Sequence, residues 1–169
     1  ADPGRKQDCF QGAKFLLRLL ESIGAEVKLA PTMEGKNPLV MGRIGNDPAL
    51  KTITFYGHYD VQPAMEPDWS HYPFELHAKD GYYIGRGVSD NKGPILAFIF
   101  AVREMLEELR YSEDGSGKMP VNVAFLFEGE EENGSIGFKE AVQDNIRWFE
   151  GTEAIFISNT LWVGEAHPC

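Results

Sequence analysis

The sequence predicts an α/β fold, a three-layer sandwich whose central, mostly parallel mixed sheet is covered by helices on both faces. Three observations carry this reading. Strand-like apolar runs alternate with helix-like ones along the chain. The runs VNVAFLF (121–127) and EAIFIS (153–158) are almost continuously apolar, as strands in a sheet interior are. Polar and charged residues follow directly on several strands, at the edge where open α/β sheets gather ligands.

Each element has its own signal. From Gln7 to Ile23 the apolar residues Phe10, Ala13, Phe15, Leu16, Leu19, Leu20 and Ile23 recur at helical spacing, and Gly24 stands where a helix is closed by glycine. EVKLA (26–30), PLVMGRI (38–44) and KTITFYG (51–57) read as strands separated by turn-rich segments. HYDVQPAMEPDW (58–69) has too much proline and charge for regular structure. FELHAKDGYYIGRG (74–87) reads as a hairpin turning at Asp80-Gly81. ILAFIFAVREMLEEL (95–109) predicts a partly buried helix, and 112–120 a loop. Then come the strand 121–127, a helix over 138–149, the buried strand 153–158 and a short extended piece, TLWVGE (160–165).

Composition excludes some functions. A hydrophobic content of 43% and an aromatic content of 12% are those of a globular core. The formal net charge of −10 argues against a nucleic-acid or anionic-membrane surface and is compatible with cation binding. No apolar run approaches the roughly 20 residues of a membrane span. The two cysteines, Cys9 and Cys169, form no disulfide framework, and together with an N-terminus lacking an apolar signal run they fit a cytoplasmic protein.

Three stretches carry chemistry. In His58-Tyr59-Asp60, residues two apart in extended chain face the same way, so imidazole and carboxylate are candidate neighbours. The pair reads either as a strand-end histidine beside a solvated aspartate or as a metal ligand with the carboxylate that orients it. Asp90, in GRGVSDNKGP, is either the N-cap of the following helix or a two-oxygen carboxylate able to bridge two cations. EGEEENGS (128–135) crowds four glutamates after an apolar strand. It is an acidic loop, or Glu131 and Glu132 divide the work of proton acceptor and metal ligand while Glu128 and Glu130 build the turn or lie in solvent.

HYDVQP, GRGVSDNKGP and EGEEENGS, in this order and at these separations, resemble the M20 family of dinuclear zinc peptidases, which includes carnosine and cysteinylglycine dipeptidases, carboxypeptidases and aminoacylases. The resemblance implies two divalent metal ions, Zn2+ first and Mn2+ second. It implies His58 as ligand of one metal, Asp90 as the bridge, Glu132 as ligand of the other, Glu131 as general base and Asp60 as the group orienting His58. It also implies a cis peptide at Asp90-Asn91. The dipeptidase branch has an aspartate ligand where this chain has Asn159, and a neutral amide is a poor zinc ligand beside a carboxylate.

SNTLWVGEAHPC and VSDNKGP look most like the peptidase-like subunit of the fungal glutathione-degrading complex. The implied function is hydrolysis of an amide bond in a small peptide, with glutathione or another γ-glutamyl or Cys-Gly peptide as the specific expectation. The competing expectation is an impaired subunit whose role is assembly with a glutamine-amidotransferase-like partner. The family pattern makes residues 1–169 the first portion of a single catalytic domain, with the dimerisation (lid) domain and a C-terminal catalytic segment absent from this chain. The full-length protein is then expected to be a homodimer, and this piece alone to hydrolyse little. His71 is expected to be structural, His77 to point off the hairpin, His167 to lie apart near the terminus, and Cys9 to pack under the first helix.

Overall fold

The apolar run after residue 120 becomes the centre of the sheet. In a computed structural model that describes residues 3–111 and 118–159, strand β6 (Asn122–Glu128) is buried along its whole length. Its neighbours are β2 (Leu39–Ile44), antiparallel, and β3 (Thr52–His58), parallel. Outside them lie β1 (Glu26–Ala30), antiparallel to β2, and β7 (Thr152–Ile157), parallel to β3. The order is β1-β2-β6-β3-β7, so the sheet is mixed and its parallel half is β6-β3-β7.

Three layers form as expected. Alternate residues of each strand point to opposite faces. Val40, Val123, Phe125 and Phe127 pack with Leu16 and Leu20 of helix α1 (Lys6–Ser22) and with Ile95, Ile99 and Val102 of helix α2 (Gly93–Arg110). Leu39, Met41 and Leu126 face the other way, against Ala141 of helix α3 (Phe138–Asp144) and its neighbours Trp148 and Phe149. Gly42 leaves room for the Leu20 side chain, whose Cδ1 would lie 3.0 Å from an added Cβ. α1 ends as its sequence predicts. Gly24 has φ 88°, and the Gly24 and Ala25 amides donate to Glu21 and Leu20 carbonyls.

The small hairpin pairs β4 (His77–Lys79) with β5 (Tyr82–Ile84), and its turn residues Asp80 and Gly81 both have positive φ, 52° and 84°. That is the sign pattern of a type I′ hairpin turn. Residues 59–76 carry no regular structure, as expected for 59–69, while the hairpin begins at His77 rather than Phe74.

Three expectations need correction or restriction. The helix predicted over 138–149 stops at Asp144, and a 3₁₀ turn, Ile146–Phe149, follows. Asn145 causes the break: its Nδ2 donates to the Ala141 carbonyl at 2.7 Å, and its Oδ1 accepts from Lys28 Nζ of β1 at 2.6 Å. β7 is not buried. It is an edge strand, and Ile155, Phe156 and Ile157 are 61%, 49% and 59% exposed because none of the described helices packs over it. The extended piece 160–165, His167, Cys169 and most of the 112–120 loop fall outside the described residues. Among the described residues no helix is long and apolar enough to cross a membrane.

A contrast of two truncations tests this packing. Phe125→Ala, at a fully buried site, should cost about 3–5 kcal/mol of unfolding free energy in this chain. Ile155→Ala on exposed β7 should cost less than about 0.5 kcal/mol. Denaturant unfolding of both variants checks it, and equal losses would contradict the exposure of β7.

Candidate metal centre

The register of the parallel strands positions the site. His58, the last residue of β3, pairs with Glu128, the last residue of β6, so both strands deliver their following loops at one level. A third segment arrives in the turn Val88–Lys92 before α2, in which the Asp90-Asn91 peptide is cis, as the family resemblance implies. Asp90 does not cap α2, which begins at Gly93 with Lys92 at its N-cap position and no side-chain cap. A fourth segment is the end of β7, which leads into Asn159.

His58 is fully buried and faces acids on both ring nitrogens. Its Nε2 lies 2.8 Å from Asp90 Oδ1 and 3.8 Å from Glu131 Oε2. Its Nδ1 lies 3.4 Å from Asp60 Oδ1 and 3.3 Å from the Asp60 backbone oxygen. Burial pushes the imidazole pKa down, but the hydrogen bond and charge of Asp60, then Asp90 and Glu131, outweigh it and hold the pKa up at about 9. Asp60 is also fully buried, and its carboxylate accepts the backbone N–H groups of Glu131, at 3.3 Å, and Glu132, at 3.0 Å. One side chain therefore touches the histidine and sets the backbone of the glutamates.

The four glutamates of 128–135 divide into two pairs. Glu128 and Glu130 are turned inward, 2% and 5% exposed, so the expectation that they lie in solvent fails and the turn-building one holds. Glu128 Oε1 accepts from Tyr56 Oη at 2.6 Å and from Ser135 Oγ at 3.1 Å, and burial raises its pKa. Glu130 accepts from the Asn37 backbone N–H at 3.0 Å, Asn37 Nδ2 at 2.9 Å, Lys36 Nζ at 3.1 Å and Asn133 Nδ2 at 3.2 Å. With the inner pair anchored, Glu131 and Glu132, on a 3₁₀ turn (Glu131–Asn133), are presented at the sheet mouth.

One donor atom each from His58, Asp90 and Glu132 lies within 4.8 Å of the others. Donors on one cation at about 2.1 Å lie within about 4.2 Å of each other, and a pair of cations relaxes that limit. An imidazole with two carboxylates is also a donor set suited to zinc or manganese. The residues fit the group. Asn159 reaches the same corner, its Nδ2 3.4 Å from His58 Nε2. A cleft of about 290 Å³ opens beside the cluster, between Gln62, Trp69, Arg86, Ser89, Asp90 and Glu132. A larger hollow of about 390 Å³, beside Arg43 and Trp148, lies at the opposite strand ends and includes none of the candidate site residues.

Three contributors were not singled out from the sequence. Gln62 Nε2 donates to Glu132 Oε2 at 2.8 Å. Asn37 clamps Glu130, and Asn91, 1% exposed, bonds to the His58 backbone. A neutral amide in a loop has no periodic signal; only the glycine before His58 hints that something approaches β3 closely there. His71 and His77 stack on each other at 4.0 Å in the hairpin region, and Cys9 packs half-buried against the core.

Comparison with known proteins extends these observations. A model of the peptidase family M20/M25/M40 matches residues 54–168. A Beta-Ala-His dipeptidase of Rattus norvegicus is 41% identical over 180 residues, covering 98% of this chain and 35% of the relative. A Cys-Gly metallodipeptidase of Candida albicans is 35% identical over 184 residues, covering 99% of this chain and 36% of the relative. The crystal structure of human carnosine dipeptidase 1 superposes with a TM-score of 0.81 at 36% identity, covering 95% of this chain and 35% of that one. The chain thus spans about 35% of the length of such relatives.

Two predictions follow the geometry. Burial raises the Glu130 pKa, but Asn37, Lys36 and Asn133 outweigh it and hold the carboxyl below its usual value. A depressed carboxyl stabilises the fold fully above its unfolded pKa of about 4.5 and loses that contribution as pH falls through the lowered folded value. Glu130→Gln should therefore flatten this acid-side loss, and at pH 7 it should cost about 1.5–3 kcal/mol, read by denaturant unfolding across pH. Asn159→Asp places a charged oxygen donor in the His58 corner and should tighten zinc binding by roughly tenfold or more, read by competition with a chromophoric chelator.

Proposed function

Because the chain belongs to the peptidase family M20/M25/M40, we propose that the protein it comes from is a metal-dependent dipeptidase, and that this chain supplies His58, Asp90 and Glu132 as metal ligands and Glu131 as its general base. The observation that carries the reading is the meeting of His58, Asp90 and Glu132, from three separate segments, within the span of cation donors. His58, Asp90 and Glu132 would hold two divalent ions, zinc first and manganese second. When bound, the ions supply Lewis-acid polarisation of the scissile carbonyl and of the attacking water.

The rest of the work falls to the chain's own side chains. Glu131 stands 3.8 Å from His58 Nε2, on the same side as the ligand atoms, and is not engaged in a turn-building contact like those of Glu128 and Glu130. Its carboxylate takes a proton from the attacking water as the water oxygen bonds to the carbonyl carbon. It then returns the proton to the amine nitrogen as the C–N bond breaks, and the second water proton, left on the new carboxyl group, passes to the freed amine, so the products are a carboxylate and an ammonium. Asp60 keeps His58 Nδ1 facing a carboxylate, so that Nε2 is the nitrogen offered to a cation. Gln62 fixes one oxygen of Glu132 and leaves the other free.

The substrate we assign is a small peptide of the Cys-Gly type, with glutathione or another γ-glutamyl peptide as the finer proposal. The names of the relatives, a Beta-Ala-His and a Cys-Gly dipeptidase, support the class. The cleft beside Asp90 and Glu132, about 290 Å³, is of the size that takes a dipeptide rather than a folded polypeptide. The second reading, a weakly metallated assembly subunit for an amidotransferase-like partner, starts from Asn159, an amide that faces His58 where a carboxylate would hold a cation better.

Hydrolysis of Cys-Gly by the full-length protein tests the proposal. Glu131→Gln should lower kcat by roughly 10²–10⁴-fold with zinc content unchanged, whereas Asp90→Ala should lose the zinc. A full-length protein that takes up no metal and cleaves neither Cys-Gly nor β-Ala-His, yet joins a partner, would establish the second reading instead.

A further inference from the structure

The β3–β7 ladder ends at the pair Tyr56–Ile157, two residues short of His58 and Asn159, which face each other at the site. Beyond that rung the connection between the two strands is made by a side chain. Asn91 Oδ1 accepts the His58 backbone N–H at 3.2 Å, and Asn91 Nδ2 donates to the carbonyl of Ser158. The amide is 1% exposed and presents one acceptor and one donor in a plane, as a peptide group does. It is spliced into the sheet where the next rung would be.

Only a glycine at position 57 admits it. A Cβ there would lie 2.5 Å from Asn91 Oδ1 and 2.8 Å from Ile95 Cγ1. Aspartate at 91 would lack the donor for Ser158, and leucine would leave the buried His58 N–H and the partly buried Ser158 carbonyl without this partner. The segments joined this way are the ones that carry His58, Asp90 and Asn159.

We propose that Asn91 is a positioning residue, an amide wedge that holds the carboxyl ends of β3 and β7 apart and so sets the width of the corner between His58 and Asn159. It touches no substrate and ligates no cation; its effect passes through the backbone of His58 and Ser158. This rests on the metal-dependent reading above and adds to it the residue that sets the site's dimensions.

Cobalt(II) titration of the full-length protein tests the wedge, with visible d–d absorption as the readout and denaturant unfolding as the check on folding. Asn91→Leu should weaken cobalt binding by roughly 10–100-fold and change the d–d bands. Asn91→Ala, whose space a water can take, and Gly57→Ala, which touches no donor atom but crowds the amide, should shift the same bands in proteins that remain folded. A merely structural role would lower the unfolding midpoint and leave the bands and the affinity of the folded protein as in wild type. That result in folded Asn91→Ala and Gly57→Ala would overturn the inference. Cobalt uptake is independent of turnover, so a wild type that binds cobalt but cleaves no Cys-Gly overturns the dipeptidase reading while the variant comparison still decides the role of Asn91. A wild type that binds no cobalt overturns both.

Discussion

The site depends on one buried carboxylate. Asp60 is removed from solvent, which is costly for a charge unless its oxygens are matched by donors. The structure supplies them from two places, the imidazole of His58 and the backbone amides of Glu131 and Glu132. The same contacts that compensate Asp60 tie the end of β3 to the turn after β6. If Asp60 is lost, the histidine and the two glutamates no longer share a reference point. This is the sense in which a motif read as His-x-Asp is tertiary: its aspartate reaches 71 and 72 residues along the chain.

The second constraint is charge crowding. Asp60, Asp90 and the four glutamates stand at one sheet edge, and in a medium of low dielectric their repulsion is severe. The protein handles the inner members with hydrogen bonds. Burial favours the neutral form of Glu128, while Lys36, Asn37 and Asn133 keep Glu130 charged but satisfied. Among the described residues, the outer members Asp90 and Glu131 share the His58 imidazole, and Glu132 accepts from Gln62. A divalent ion placed among them would remove repulsion, so the acidic net charge and the acidic loop are coherent with a cation site.

Much of this was legible in the residues, and the limits follow physical lines. Local rules worked where local forces decide. The 3.6-residue period and Gly24 marked α1, Asp80-Gly81 marked the hairpin, and the continuous apolarity of 121–127 marked the central strand. The family resemblance carried by the three motifs named the residues that the fold then brought together. Reading failed where an outcome turns on which element lies alongside. β7 has the composition of an interior strand, yet Ile155, Phe156 and Ile157 are exposed among the described residues of this chain, which spans about 35% of its relatives' length. Glu128 and Glu130 look like neighbours of Glu131 and Glu132 in sequence, yet they are buried because Tyr56 and Asn37 wait for them. Amides such as Asn145, Asn91 and Gln62 act through single hydrogen bonds, which leave no periodic trace.

The central claim is that imidazole and carboxylates from separate segments form a cation site at the carboxyl edge of the parallel strands. Anomalous diffraction from zinc-soaked crystals of the full-length protein, collected at the zinc edge, tests it most directly. The account predicts a strong peak about 2.0–2.2 Å from His58 Nε2 and a carboxylate oxygen of Asp90, with a second near Glu132. Zinc found only at other positions, with His58 and Asp90 left in mutual contact, would contradict it.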